Sequence, residues 1–340
     1  MVGNDAPGAL ERYCAAAFHE MGYEIKFHDV HHEIIVRSRF LYTPVLCDFE
    51  QSMLRYGFNR RLQAKVKEWA PDLIFVFKGI DLTPETLQVI RKLVPSPLLL
   101  NWNPDSPFDF GTSNTSPNLI KSIPLYDVYF TWNADLISPL REAGARRVEY
   151  LPFGYDPESH YPVNLNEVER SLLGSQVSFV GNYTRERANL LEMLIQNGIK
   201  VEIWGINWNE HVPYNAPLRP HLRGPIYDED MSKVYSASEI AMNFLRVQNR
   251  QAHNMRTFEV PAIGAFMLST RSQSQIELLP EDAGASYFTT PQEMLDRVFY
   301  YLSNSNERNN IAEEGHRRIW NKEHTYFHRM QQLLTIVNQL

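Results

Sequence analysis

Short apolar runs alternate with longer amphipathic ones along most of the chain. In the first half, Tyr23–Phe27, Glu33–Val36, Leu73–Phe77, Leu98–Trp102, Val128–Trp132 and Val148–Leu151 read as strands. Helical spacing falls between several of them, at Ala9–Met21, Gln51–Trp69, Pro84–Leu93 and Ala134–Glu142. The run Leu73-Ile74-Phe75-Val76-Phe77 is apolar throughout rather than alternating, as in a strand covered on both faces of a parallel sheet. The second half restarts the pattern. Strands are expected at Val177–Val180, Val201–Trp204, Ile240–Phe244, Ala265–Leu268 and Ser286–Phe288, with helices at Arg185–Gln196, Glu229–Ser236, Gln292–Leu302 and Glu307–Trp320. This alternation predicts two doubly wound α/β domains, Rossmann-like in style, facing each other across a cleft.

Punctuation places the boundary. Leu151-Pro152-Phe153-Gly154-Tyr155-Asp156-Pro157, then Tyr161-Pro162 and a polar stretch to Ser175, are dense in Pro and Gly. The expected organisation is a first domain over 1–152, a linker over 153–172, a second domain over 173–322, and a last segment over 323–340. Within that segment a helix at Thr325–Val337 is expected to pack back on the first domain. At the start only Met1 and Val2 precede Gly3-Asn4-Asp5. Either the first strand is very short or residues are missing upstream.

Composition narrows the class. Of 340 residues 44% are hydrophobic and 21% charged, which excludes a disordered chain. The net charge of −7, from 33 basic and 40 acidic residues, argues against a broad grip on nucleic acid or an anionic membrane. Two cysteines, Cys14 and Cys47, make neither a disulfide framework nor a zinc cluster, and imply a reducing, cytoplasmic setting. No apolar run approaches the ~18 residues of a membrane span, and no secretory leader pattern opens the chain.

No G-x-G-x-x-G follows a strand and no P-loop signature is present, which disfavours dinucleotide dehydrogenases and P-loop NTPases. Two segments carry candidate chemistry. After Val177–Val180 comes Gly181-Asn182-Tyr183-Thr184-Arg185-Glu186-Arg187: a glycine turn into a helix start, where free N–H groups and Arg185 suit a phosphate. The alternative is a helix on which Arg185 and Arg187 make surface ion pairs. In Asn254-Met255-Arg256-Thr257-Phe258-Glu259, helical spacing puts Arg256 and Glu259 on one face. Arg256 would then meet a diphosphate and Glu259 the two hydroxyls of a ribose, or the two form an ordinary helical ion pair.

The stretch from Arg256 to Leu268, R-x-F-E-x-P-A-x-G-x-F-x-L, with the strand–Gly-x-x-x-Arg turn upstream, resembles the CgeB-like glycosyltransferases. Asn306-Glu307-Arg308, Ala312–Arg318 and Glu323-His324-Thr325-Tyr326 are similar to that family's C-terminal end. Asn101-Trp102-Asn103-Pro104-Asp105-Ser106-Pro107 and Leu151-Pro152-Phe153-Gly154 are similar to its first half. The resemblance implies the GT-B fold and a nucleoside diphosphate sugar as donor substrate. It puts Arg185 and Arg256 near the donor diphosphate and Glu259 on the ribose, with the nucleotide sugar bound by 173–322 and the acceptor by 1–152; Gly181 and Asn254 are the further donor-binding candidates. Two departures stand out: Met267 occupies the position eight after Glu259, where many retaining enzymes carry a second glutamate, and the opening glycine turn lacks a full strand.

For proton removal from an acceptor hydroxyl the candidates are Asp105, after Leu98–Trp102, and Asp5, after the opening strand; each is equally a turn-forming residue. Three patterns are decoys. Asp228-Glu229-Asp230 fits a metal-binding D-x-D but precedes a helix, where acidic residues cap. His28, His31 and His32 lack zinc-ligand spacing. Trp204, Trp208 and Tyr300-Tyr301 read as core or rim aromatics.

The expected activity is therefore metal-independent and cofactor-free transfer of a sugar from a nucleoside diphosphate to an acceptor hydroxyl. The acceptor is a glycan, protein or small molecule. The competing readings are an inactive sugar-nucleotide-binding or surface or spore assembly protein, and a glycosyltransferase acting on DNA bases.

Overall fold

The structure is a computed structural model that describes residues 1–36, 44–93, 97–110, 114–246 and 251–340, with backbone only for 35–36 and 44–48. It divides into two compact units. The first is Met1–Pro152 together with Met330–Leu340, and the second is Phe153–Arg329.

The first unit contains β1 (Val2–Gly3), α1 (Leu10–Glu20), β2 (His28–Asp29), α2 (Pro44–Trp69), β3 (Leu73–Phe77), α3 (Pro84–Leu93), β4 (Leu98–Trp102), α4 (Pro117–Ser122), β5 (Val128–Thr131), α5 (Ile137–Glu142) and β6 (Val148–Tyr150). All its strands are parallel, in the order β2-β1-β3-β4-β5-β6. Four of the five residues of β3 and of β4 are buried, as the unbroken apolar run of β3 and the mainly apolar one of β4, interrupted by Asn101, require.

Two expected strands differ. No strand forms at Tyr23–Phe27; pairing begins at His28, because β1 offers only Val2 and Gly3 as partners for His28 and Asp29. Glu33–Val36 is not a strand but part of a π-helical turn over His31–Val36. The Asp29 carboxylate accepts the His31 N–H at 2.9 Å and so ends β2 there. Ala134–Leu136 is a 3₁₀ turn leading into α5.

The second unit contains α6 (Glu167–Leu173), β7 (Val177–Val180), α7 (Arg185–Gln196), β8 (Val201–Trp204), α8 (Trp208–His211), β9 (Leu222–Gly224), α9 (Asp228–Ala237), β10 (Ile240–Asn243), α10 (Arg256–Ala262), β11 (Met267–Thr270), α11 (Gln273–Leu278), β12 (Ser286–Phe288), α12 (Pro291–Ser303) and α13 (Ser305–Trp320). Its sheet is also parallel, in the order β12-β11-β10-β7-β8-β9. Here α6 arises within the polar stretch expected to be a linker, because Asn166 and Glu169 form a reciprocal capping box at its start. β11 begins two residues later than the apolar run at Ala265. The last helix, α14 (Tyr326–Val337), has Tyr326–Arg329 in the second unit and continues as part of the first. No described helix is long and apolar enough to cross a membrane.

His28 lies in the first unit's core, 1% exposed, stacked on Phe58 with ring centroids 4.3 Å apart. Its Nε2 is 3.1 Å from the Phe58 carbonyl and its Nδ1 3.2 Å from Lys65 Nζ. Both bonds form when Nε2 carries the proton and Nδ1 accepts. Neither nitrogen is directed at His31 or His32. Burial lowers the ring's pKa from 6.5 to about 4.

The unfolded chain therefore binds a proton below pH 6.5 that the folded chain refuses until about pH 4. Stability contributed this way is intact above pH 6.5 and declines as pH falls through that window. Between pH 6.5 and 4.5 the unfolding free energy of the wild type should fall more steeply than that of His28→Gln, by up to about 1.4 kcal/mol per pH unit. Parallel urea titrations at each pH measure the difference, and equal slopes would refute it.

Candidate functional site

Ligands of open parallel sheets bind outside the strands' carboxyl ends, where strand order reverses. In the second unit that point lies between β7 and β10. The chain leaves β7 through Gly181–Tyr183, and the Thr184 hydroxyl caps α7 by accepting the Arg187 N–H at 3.3 Å. The 12-residue α7 thus begins beside the crevice with its remaining N–H groups directed outward.

Arg187 turns into this point. It donates to the Asn182 carbonyl at 2.9 Å and to the Phe244 carbonyl at 3.0 Å, and so spans the ends of β7 and β10. Its guanidinium lies 5.4 Å from the centre of the Phe179 ring. Burial first, then repulsion from Arg246 and Arg256, lowers its pKa to about 10, so it is still a cation at neutral pH.

Arg256, the first residue of α10, donates from Nε to the Val180 carbonyl at 3.2 Å and forms an ion pair with Glu259. Its side chain is 24% exposed and that of Glu259 only 1%. The second Glu259 oxygen faces His160 Nε2 at 3.7 Å, while His160 Nδ1 accepts the Asp156 N–H at 3.0 Å. Burial lowers the His160 pKa, against the opposing effect of the Glu259 carboxylate. The helical Arg–Glu pair is therefore present. It is part of a buried constellation whose arginine is the member that reaches the surface.

The turn ahead of α10 is fastened by amides. Asn243 and Asn254 exchange side-chain hydrogen bonds at 3.1 and 2.7 Å, and Asn254 Oδ1 accepts the Thr257 N–H at 3.2 Å. The Gln275 oxygen accepts from Asn243 Nδ2, Thr257 Oγ1 and Ser269 Oγ at 3.0–3.3 Å. Four elements, β10, α10, β11 and α11, meet at that one amide, and Gln275 is wholly buried.

The sequence-derived candidates are distributed as follows. Gly181, Asn254, Arg256 and Glu259 gather around the β7/β10 point; Asn254 acts as a cap and the Gly181 carbonyl accepts Trp208 Nε1 at 2.8 Å. Arg185 opens α7 and is exposed. Arg187, Arg246 and Gln275 escaped the sequence reading. For Arg187 the signal was available, two residues after Arg185, but a side chain folding back over its own helix start does not register in helical spacing. Asp228, Glu229 and Asp230 form the first turn of α9, where Lys233 pairs with Glu229 at 3.2 Å and Asp230 at 3.5 Å. Trp208 and Tyr301 are core residues.

In the first unit the order reverses at β1/β3. Lys78 follows β3 and its ammonium meets the Asp105 carboxylate at 2.6 Å. Asp105 is not the Asx residue of its turn; Asn103 Oδ1 accepts the Asp105 N–H at 3.0 Å instead. Asp5, 47% exposed, lies 3.9 Å from Arg12.

Residues 185–335 match the family model described as glycosyl transferase-like. No curated protein matches the chain. Among solved structures, Anabaena Alr3699/HepE in complex with UDP and glucose is similar over 100% of this chain and 99% of its own, at 12% identity and TM-score 0.70. A glycosyltransferase from Rickettsia africae is similar over 99% and 97%, at 12% identity and TM-score 0.65. Sucrose-phosphate synthase from Thermosynechococcus elongatus is similar over 84% and 79%, at 12% identity and TM-score 0.63. The two six-stranded parallel sheets with their flanking helices are the GT-B fold of these glycosyltransferases.

Proposed function

We propose that the protein is a GT-B glycosyltransferase that moves a sugar from a nucleoside diphosphate to an acceptor hydroxyl without a bound metal. The observation that carries this reading is the group of Arg187, Arg246 and Arg256 at the strand-order reversal of the second unit, beside the start of α7. A diphosphate suits three guanidinium groups and a helix N-terminus better than any neutral ligand does. The family match over 185–335 and the HepE structures bearing UDP or UDP-glucose support the same donor class, with UDP-glucose as the first donor to try. The specific CgeB-like affinity remains part of this proposal.

In this reading the second unit holds the donor and the first presents the acceptor. As the bond between the anomeric carbon and the diphosphate breaks, negative charge grows on the leaving oxygen. Arginines fixed to the carbonyls of Asn182, Phe244 and Val180 need no reorganisation to meet it, and their attraction strengthens as the charge grows. That is the condition for acceleration rather than mere binding. They supply the positive charge that a divalent ion supplies in metal-dependent transferases. Glu259, buried with its oxygens towards Arg256 and His160, acts on the donor by holding Arg256 in place rather than by reaching the ribose hydroxyls expected of it.

A thermal-shift and calorimetry panel of UDP, TDP, GDP, ADP and CMP tests the reading. One nucleoside diphosphate, expected to be UDP, should bind and stabilise the chain by about 2.7 kcal/mol at one hundred times its Kd. Glu259→Ala should weaken that ligand at least tenfold. Binding of none of the five would remove the donor site.

A further inference from the structure

Glu259 is closed off from solvent, and its two oxygens face different partners. One forms the ion pair with Arg256; the other faces His160, whose ring is wholly buried. His160 comes from the Pro- and Gly-dense stretch at the start of the second unit rather than from the sheet. Residues 156–160 form a tight turn. The His160 N–H donates to the Asp156 carbonyl at 2.7 Å, and the Ser159 hydroxyl donates to the Asp156 carboxylate at 2.6 Å. Helix α9 fastens that turn: Ser232 Oγ donates to the Ser159 carbonyl at 2.7 Å, and Ser236 Oγ accepts the Val163 N–H at 3.1 Å. Tyr235, buried on the same helix, also meets the Arg256 guanidinium and the Val180 backbone.

The turn decides which ring nitrogen carries the proton. His160 Nδ1 accepts the Asp156 N–H at 3.0 Å, so in the neutral ring the proton is on Nε2, the nitrogen that faces Glu259. At 3.7 Å this is a contact of charge with dipole rather than a hydrogen bond. The charged groups around the ring are Glu259, Arg256, Asp156 and Asp228.

We infer that His160 is a positioning residue of the donor site: its Nε2–H, set against one Glu259 oxygen, keeps the carboxylate in the orientation in which the other oxygen fixes Arg256. The inference rests on the transferase reading. The last torsion of a glutamate is soft, and a buried carboxylate with nothing opposite its second oxygen turns or takes up a proton. Either change releases Arg256. The arginine must then be ordered afresh each time a diphosphate binds, at a cost in affinity.

The competing role is packing alone, a ring that fills buried space and pins its own turn. Two amide variants separate the functions of the two nitrogens. In His160→Asn the amide oxygen replaces Nδ1 as acceptor for the Asp156 N–H, but nothing reaches Glu259. In His160→Gln the amide nitrogen reaches the position of Nε2. With the full chain, UDP binding is measured by calorimetry for each variant alone and combined with Glu259→Gln. His160→Asn should weaken UDP about tenfold by itself and less than twofold further in Glu259→Gln, which has no carboxylate left to hold. His160→Gln should recover most of the affinity that His160→Asn loses. Packing alone predicts the same loss in both backgrounds; that result, or undiminished binding in His160→Asn, overturns the inference. Should His160→Asn fail to fold, His160→Gln decides, and UDP affinity tenfold or more below wild type in that variant overturns it. Failure of the wild type to bind UDP overturns the transferase reading and the inference with it.

Discussion

Arg256→Ala should weaken UDP binding at least 10²-fold, whereas Arg185→Ala should cost less than about fivefold. Charge-assisted hydrogen bonds contribute about 1.5–3 kcal/mol each, and 1.4 kcal/mol is tenfold in affinity. Arg256 has a second effect in the same direction. It neutralises Glu259, a carboxylate only 1% exposed, so its loss leaves a buried negative charge beside the proposed anion site. Arg185 is exposed on the first turn of α7 and holds nothing comparable in place.

Because removing one partner of a buried pair costs about 3–5 kcal/mol, Arg256→Ala will also be less stable. The double variant Arg256→Ala/Glu259→Gln should regain much of that stability without regaining affinity. Calorimetry with UDP and thermal melting of the unliganded variants measure the two effects separately. Near-native affinity in the double variant would take Arg256 out of the donor site.

Gly205→Ala should be among the most damaging small substitutions in the second unit. Gly205 has φ +147°, a region closed to side chains, and an added Cβ would collide with the Gly181 carbonyl. The two glycines let the chain leaving β7 and the chain leaving β8 touch backbone to backbone, with the Gly181 N–H donating to the Trp204 carbonyl at 2.8 Å. Strain of about 1–3 kcal/mol adds to a similar cost for the collision. Gly224 supplies the control: its φ is +89° but no atom lies within 4 Å of an added Cβ. Gly224→Ala should therefore lose only the strain, about 1–2 kcal/mol. Urea midpoints for the pair give the difference, and it should be accompanied by loss of UDP binding in Gly205→Ala alone. Equal midpoints would mean that the Gly181 turn yields freely.

The sheets were legible because their buried strands leave short, mainly apolar runs. Leu73–Phe77, Leu98–Trp102, Val177–Val180 and Val201–Trp204 begin and end where their patterns do. Tyr23–Phe27 alternates apolar and polar residues but has no strand, since an edge strand extends only as far as its neighbour, and β1 is two residues long. That limit belongs to the partner, not to the segment. The α6 helix was hidden for the opposite reason: none of its residues is buried, so it has no apolar stripe to read, only a capping box. At the site, Arg256 and Glu259 were visible as a spaced pair. Arg187 was not, because its role depends on the Phe244 carbonyl 57 residues away. Gln275 gathers partners from three other elements, which no local spacing encodes.

The return of Met330–Leu340 to the first unit has a consequence for biosynthesis. The opening 152 residues emerge from the ribosome without the segment that completes them. The second unit, continuous from Phe153 to Arg329, is made in the interval; 329 − 152 gives 177 residues. At about 5–20 residues per second, the nascent first unit waits roughly 10–35 s for its last helix. The first unit is thus the one whose core depends on residues 330–340, and a released chain ending at residue 329 should present a protease-resistant second unit joined to a protease-sensitive first.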